Sequence, residues 1–183
     1  KMAKDSVRIV YNLRDIGRTF TGLNNADSAL CYYKKAYEQA LKIKDKHLID
    51  VTQYGLASLY VQLHKYNLAK QILQSTSRDI KRGYASGVYS ISADLYYKLG
   101  KTDSAVYFFN KMLNEGTVYA KQSAHWGLAS IAIEKSDCNT AIKQLRDYNT
   151  YTDSIQKITA TETIKKKHSL YNYQLRENEN NKL

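Results

Sequence analysis

The sequence predicts an all-α protein, and three observations support this prediction. The chain has 183 residues and no proline, although the usual frequency of about 5% would give roughly nine. Its eight glycines leave little material for the tight turns of a β-rich fold. Apolar residues recur at spacings of three and four, which is the period of one face of an α-helix.

Small residues occur in four pairs along the chain, and the two members of each pair are always twelve positions apart. The pairs are Gly17 and Ala29, Ala57 and Ala69, Ala93 and Ala105, and Ala129 and Ala141. Four positions beyond the second member stands a large apolar residue, which is Tyr33, Leu73, Phe109 or Leu145. Two helices that cross closely need small side chains at the crossing and bulky ones beside it. This recurrence therefore predicts four helical hairpins and disfavours a plain helical bundle.

Short polar segments separate the two members of each pair, at residues 24–27, 64–67, 100–103 and 136–139. Polar connections of this length join antiparallel helices. The two helices of each predicted hairpin should therefore meet at these four turns.

At these positions the chain resembles the tetratricopeptide repeat family, whose motif combines small and large apolar residues on two helices. Repeat one matches with Leu13, Ile16, Gly17, Phe20, Ala29, Tyr33 and Ala36. Two departures are evident: Ala132 replaces the aromatic of repeat four, and the closing proline of the family is missing. The successive periods of 40, 36 and 36 residues also exceed the usual length of about 34.

The resemblance implies a right-handed α-α superhelix of about four hairpins, followed by a long C-terminal helix. We expect the array to occupy residues 1–150, with repeats near 10–43, 50–83, 86–119 and 122–153. A capping and coiled-coil-like linker helix should then occupy residues 151–183.

In this family the first helices of the repeats line a groove that binds protein or peptide ligands. Transferred to this chain, the groove positions are Tyr11, Arg14, Arg18, Tyr54, Ser58, Gln62, Asp94, Tyr97, Lys98, Trp126, Ser130 and Glu134. Aromatic residues mixed with polar ones are typical of recognition surfaces. Arginine binds carboxylates bidentately, so Arg14 and Arg18 suggest an acidic peptide.

The chain carries a formal net charge of +11, which is a level common among proteins that bind nucleic acids or acidic lipids. Here the excess is spread along the chain, and the only compact basic run is residues 165–167. A solvated helix face is favoured over a phosphate- or lipid-binding patch for this run. Nucleic acid is therefore disfavoured as a partner.

The sequence contains no recognisable catalytic or metal-binding motif. Its four histidines show no metal-ligand spacing, and there is no phosphate-binding glycine loop or nucleophile elbow. We interpret His125, beside Trp126, as a packing residue rather than a catalytic base. Cys31 and Cys138 lack CxxC spacing, and we expect both to be buried. The protein should not be an enzyme and should need no cofactor or metal.

After Tyr148 the repeat pattern gives way to a different one. Ile155 and Ile158 come first, and Ile164, His168, Tyr171 and Leu175 then follow at spacings of four, three and four. Such spacing is typical of a narrow coiled-coil seam. It suggests a homodimer through the C-terminal helix, which should weaken when the residues after Ile164 are removed.

Residues 169–177, following such repeats, resemble the extracytoplasmic halves of bacterial membrane-anchored transcriptional regulators or sensor kinases. This resemblance implies a sensor region, periplasmic in location, whose membrane contact comes only through an apolar segment after Leu183. The alternative is a cytoplasmic scaffold or a nucleic-acid-associated helical repeat protein.

Overall fold

The computed structural model describes residues 2–75 and 82–180, and every regular element in them is helical. This confirms the predicted all-α class. The helices are α1 (Met2–Gly22), α2 (Ala26–Ile43), α3 (Lys46–Gln62), α4 (Tyr66–Ser75), α5 (Arg82–Lys98), α6 (Thr102–Glu115), α7 (Val118–Glu134) and α8 (Cys138–Asn180). The end of predicted repeat two, at residues 76–81, lies outside the described residues.

Four connectors of identical length join α1 to α2, α3 to α4, α5 to α6 and α7 to α8. The middle residue of each has a left-handed backbone: Asn24, His64, Gly100 and Ser136, with φ of 56°, 57°, 68° and 57°. The next N–H donates to the carbonyl five residues earlier, as from Asn25 to Phe20 at 2.9 Å. This is the Schellman arrangement that ends many helices. The four predicted turns are confirmed, and they repeat one backbone geometry.

Replacing Ser136 with glycine should raise the free energy of unfolding by about 0.5–1 kcal/mol, because glycine adopts a left-handed backbone without steric cost. The matched change Gly100→Ala introduces that cost and should lower the free energy of unfolding by about 1 kcal/mol. Urea denaturation followed by circular dichroism measures both values. Equal signs for the two changes would contradict this explanation of the turns.

The predicted small positions are all buried. Gly17 is buried, and the seven alanines at the other positions are at most 5% exposed. Close approach of two helix backbones requires small side chains at the crossing. The predicted packing role of these residues is therefore confirmed.

Tyr33 on α2 packs between glycines of two other helices. An ideal Cβ added to Gly17 of α1 would lie 3.0 Å from Tyr33 Cδ1, and one added to Gly55 of α3 would lie 2.8 Å from the same atom. The Tyr33 side chain is 2% exposed, and burial raises the pKa of its hydroxyl above the ordinary value. Both glycines leave space that this ring fills.

The described residues form two compact units, divided between Ala120 and Lys121. In the first unit α1 contacts α2 and α3, α3 contacts α2, α4 and α5, and α5 contacts α4 and α6. In the second unit, residues of α7 pack on the first part of α8. The boundary that we expected near residue 150 falls inside α8, which is continuous there.

Both cysteines are exposed, so the expectation that they are buried was wrong. Cys31 lies two positions after the buried Ala29 and therefore on another side of α2. Cys138 is the first residue of α8, next to the turn.

The C-terminal helix changes character along its length. Ile155 is half-buried and Ile158 is 38% exposed, whereas every described side chain from Gln156 onwards is exposed. None of the helices in residues 2–75 and 82–180 combines the length and apolar character that crossing a membrane requires.

Candidate functional site

The groove positions predicted in the first unit lie on α1, α3 and α5, which are neighbouring helices. Arg18, Ser58 and Asp94 are separated by 40 and 36 residues, the same intervals as the turns. They therefore occupy equivalent positions in three hairpins, and all three are exposed. We call these three residues the α1–α3–α5 row.

The arginines of α1 differ in what they contact. The Arg14 guanidinium donates to Asp15 Oδ1 through Nη2 at 2.8 Å and Nε at 3.1 Å. It also lies over the half-buried Tyr11 ring, 5.0 Å from the ring centroid. Arg18 Nη2 is 3.9 Å from the same Asp15 oxygen, and its side chain is 77% exposed. Arg18 is thus the more accessible of the two for an incoming carboxylate.

Tyr54 is 8% exposed, although a groove position was expected to face solvent. It occupies the position of α3 that Arg14 occupies in α1, forty residues earlier. The structure places its side chain in the core, so it offers no exposed ring to a ligand.

Gln62 joins the end of α3 to the first turn. Its Nε2 donates to Asn24 Oδ1 at 2.8 Å and to the Thr21 carbonyl at 3.2 Å. These residues, with Ala26, Leu59 and Leu63, line a small cavity of about 170 Å³. Gln62 therefore holds α1 and α3 together, in addition to being exposed.

On α5 the predicted positions are Asp94, Tyr97 and Lys98. Asp94 and Lys98 are exposed and Tyr97 is half-buried. Desolvation by surrounding protein atoms raises the pKa of the Asp94 carboxyl above its ordinary value, and the positive charge of Lys98 partly opposes this. A solvent-accessible carboxylate that is still partly desolvated fits a recessed surface.

In the second unit Trp126 forms an aromatic surface with Tyr148. The Trp126 side chain is 56% exposed, and its ring centroid is 5.5 Å from that of Tyr148, with the planes inclined at 51°. Together with Gln122 and Ser123 they line an open cavity of about 250 Å³. We had identified Tyr148 only as a repeat residue, because its contact with Trp126 depends on how α7 and α8 pack.

The two other predicted positions of α7 lie further along the helix. Ser130 donates its hydroxyl to the Trp126 carbonyl at 3.1 Å and is half-buried. Glu134 is exposed at the end of α7.

His125 packs between α7 and α8. Its ring is 8% exposed, stacks on Tyr151 at 5.3 Å, and places Nδ1 2.7 Å from Gln144 Oε1. Asp147 Oδ2 lies 3.9 Å from the same nitrogen. These contacts describe a polar packing cluster. Within the described residues no group of three histidine, cysteine or acidic side chains could hold a metal ion.

Comparison of the chain with protein-family models and with curated proteins gives no match.

Proposed function

We propose that this chain is a tetratricopeptide-repeat protein that binds a protein or peptide in a groove formed by its first helices. In this proposal the hairpins stack as a right-handed superhelix and perform no chemistry of their own. Three features support it: the repeated Schellman turns, the buried small pairs, and the contacts of α3 with both α1 and α5. A stack of equivalent hairpins offers an extended binding surface.

The α1–α3–α5 row is the observation that carries the proposal. Its members are exposed at equivalent positions of three neighbouring helices, and they include a cation, a hydroxyl and an anion. The raised pKa of Asp94 is consistent with a recessed surface. Such a row offers an extended ligand several contacts, and exposed Arg18 can accept a carboxylate bidentately.

We further propose that the chain is the sensor region of a bacterial membrane-anchored regulator, located in the periplasm. The resemblance of residues 169–177 to such regulators supports this. The long exposed part of α8, which could connect the hairpins to another region, supports it as well. Ligand binding to the hairpins would then be communicated through α8.

The groove proposal predicts that Arg14→Ala combined with Arg18→Ala weakens binding of an acidic peptide by about 10- to 100-fold, the effect of losing charge-assisted hydrogen bonds. The peptide is selected from a random display library on the purified chain, and its Kd is measured by isothermal titration calorimetry. Arg18→Ala alone should give a smaller loss. Because the Arg18 side chain is exposed, this single change separates binding from folding.

Arg8→Ala is the matched control, since Arg8 is an exposed arginine of α1 that pairs with Asp5 outside the row. Its Kd should equal that of the unmodified chain. An unchanged Kd for the double variant would refute the role of the arginines. Retention on DNA or RNA that declines steeply with salt would instead favour the alternative function.

A further inference from the structure

The distal segment of α8, residues 156–178, is exposed around its whole circumference. It nevertheless carries large apolar side chains, among them Ile164, Tyr171 and Leu175, which are 67%, 58% and 43% exposed. Apolar side chains at regular spacing on an otherwise polar helix mark a surface that another helix can cover.

The sequence of the distal segment does not favour a solitary helix. Thr159, Thr161 and Thr163 each donate a hydroxyl to the carbonyl four residues earlier, and β-branched residues have low helix propensity. In proteins, helices gain most of their stability from packing rather than from propensity. A partner helix would supply that packing.

The apolar seam of the distal segment consists of Ile164, His168, Tyr171 and Leu175, which correspond to heptad positions d, a, d and a. Ile164 follows Tyr148, which contacts α7, by sixteen residues. At 3.6 residues per turn this places the seam roughly 160° around the helix from the side that contacts α7. Pairing at the seam therefore does not compete with the packing of α7.

We propose that the distal segment pairs with the same segment of a second copy of this chain, as a parallel two-stranded coiled coil that acid weakens. The seam is self-complementary, because in-register pairing places each apolar side chain against its counterpart. The flanking e and g positions are compatible with it. Lys167 would lie opposite Asn172, and Lys165 opposite Ala160, so that no like charges meet.

The two copies would bring their His168 side chains together in one layer of the seam. Histidine gains its positive charge as the pH falls through about 6–7, and two imidazolium groups in an apolar layer repel each other. Lys165 and Lys167 are the charged groups nearest that layer on both helices, and they add to the repulsion. Glu162 and Glu177 occupy positions b and c, away from the seam. Acid should therefore weaken the pairing.

Sedimentation equilibrium of the whole chain tests the proposal. The association constant should fall at least tenfold between about pH 8 and about pH 5. Ile164→Asp should abolish association at every pH, whereas Ile142→Asp should leave it unchanged. Ile142 is a suitable control because it is an exposed isoleucine of α8 outside the distal segment. Circular dichroism at each pH verifies that the hairpins remain folded.

The variant His168→Asn separates the acid effect from pairing itself. It should associate as tightly as the unmodified chain at neutral pH and show no loss in acid, because asparagine does not titrate. A chain that is monomeric at all concentrations would overturn the proposal. An acid response unchanged by His168→Asn would overturn the role of His168.

Cysteine cross-linking tests the orientation, in a chain whose natural cysteines are replaced by Cys31→Ser and Cys138→Ser. Leu175→Cys should oxidise to a disulfide-linked dimer, since a parallel pair places both copies of this residue in one layer. Cross-links formed only in a mixture of Ile164→Cys and Leu175→Cys chains would show an antiparallel pair and overturn the parallel arrangement.

Discussion

Replacing Tyr33 with alanine should lower the free energy of unfolding by about 3–5 kcal/mol, as for other buried aromatic residues. The ring packs in a cluster that includes Ala29, Leu56 and Leu59. Removing it leaves a cavity between α1, α2 and α3, because neither Gly17 nor Gly55 has a side chain to fill the space. Urea denaturation followed by circular dichroism measures the loss.

Tyr119→Ala is the matched control for this change, since Tyr119 is 51% exposed. It should change the free energy of unfolding by no more than about 0.5 kcal/mol. A loss below about 1 kcal/mol for Tyr33→Ala would contradict the central role of this ring.

Tyr33→Phe keeps the ring and removes only the hydroxyl, which lies 3.5 Å from Thr21 Oγ1. Burial raises the pKa of that hydroxyl in the folded chain. Stability is therefore fully present below the pKa of the unfolded state, about 10, and is lost as the pH rises above it. The phenylalanine variant should lack this part of the alkaline loss.

The hairpins could be predicted because their determinants lie close together in sequence. A small residue, a polar turn and a second small residue occur within twelve positions, as in Gly17 and Ala29. Both residues are buried as predicted. Gly55 was missed because it belongs to no such pair. Its role depends on Tyr33, which lies on another helix 22 residues earlier.

The candidate site was less predictable, because exposure at the edge of a helix depends on the neighbouring helix. Tyr54 and Trp126 occupy equivalent positions of α3 and α7. Tyr54 is nevertheless buried, whereas Trp126 is exposed beside Tyr148. The cysteines show the same limit, since a small apolar residue near a helix crossing can still face solvent. Periodicity identifies which residues can pack, but tertiary contacts decide which of them do.

Replacing Gly55 with alanine should lower the free energy of unfolding by about 1–3 kcal/mol, because the added Cβ would overlap the Tyr33 ring. This cost arises despite the higher helix propensity of alanine, which alone would stabilise an α-helix by about 1 kcal/mol. Denaturant unfolding of the single variants and of the double variant Gly55→Ala with Tyr33→Ala measures the coupling between the two positions.

The effect of Gly55→Ala should change sign in the Tyr33→Ala background. With the ring absent, the new methyl group meets the cavity instead of an aromatic edge, so only the propensity gain and some filling of the cavity remain. The same substitution should then stabilise the chain by up to about 1 kcal/mol. Additive effects, with Gly55→Ala equally destabilising in both backgrounds, would show that the cost arises elsewhere than at the Tyr33 ring. A sign change would show that this glycine is needed because α2 inserts a tyrosine against α3.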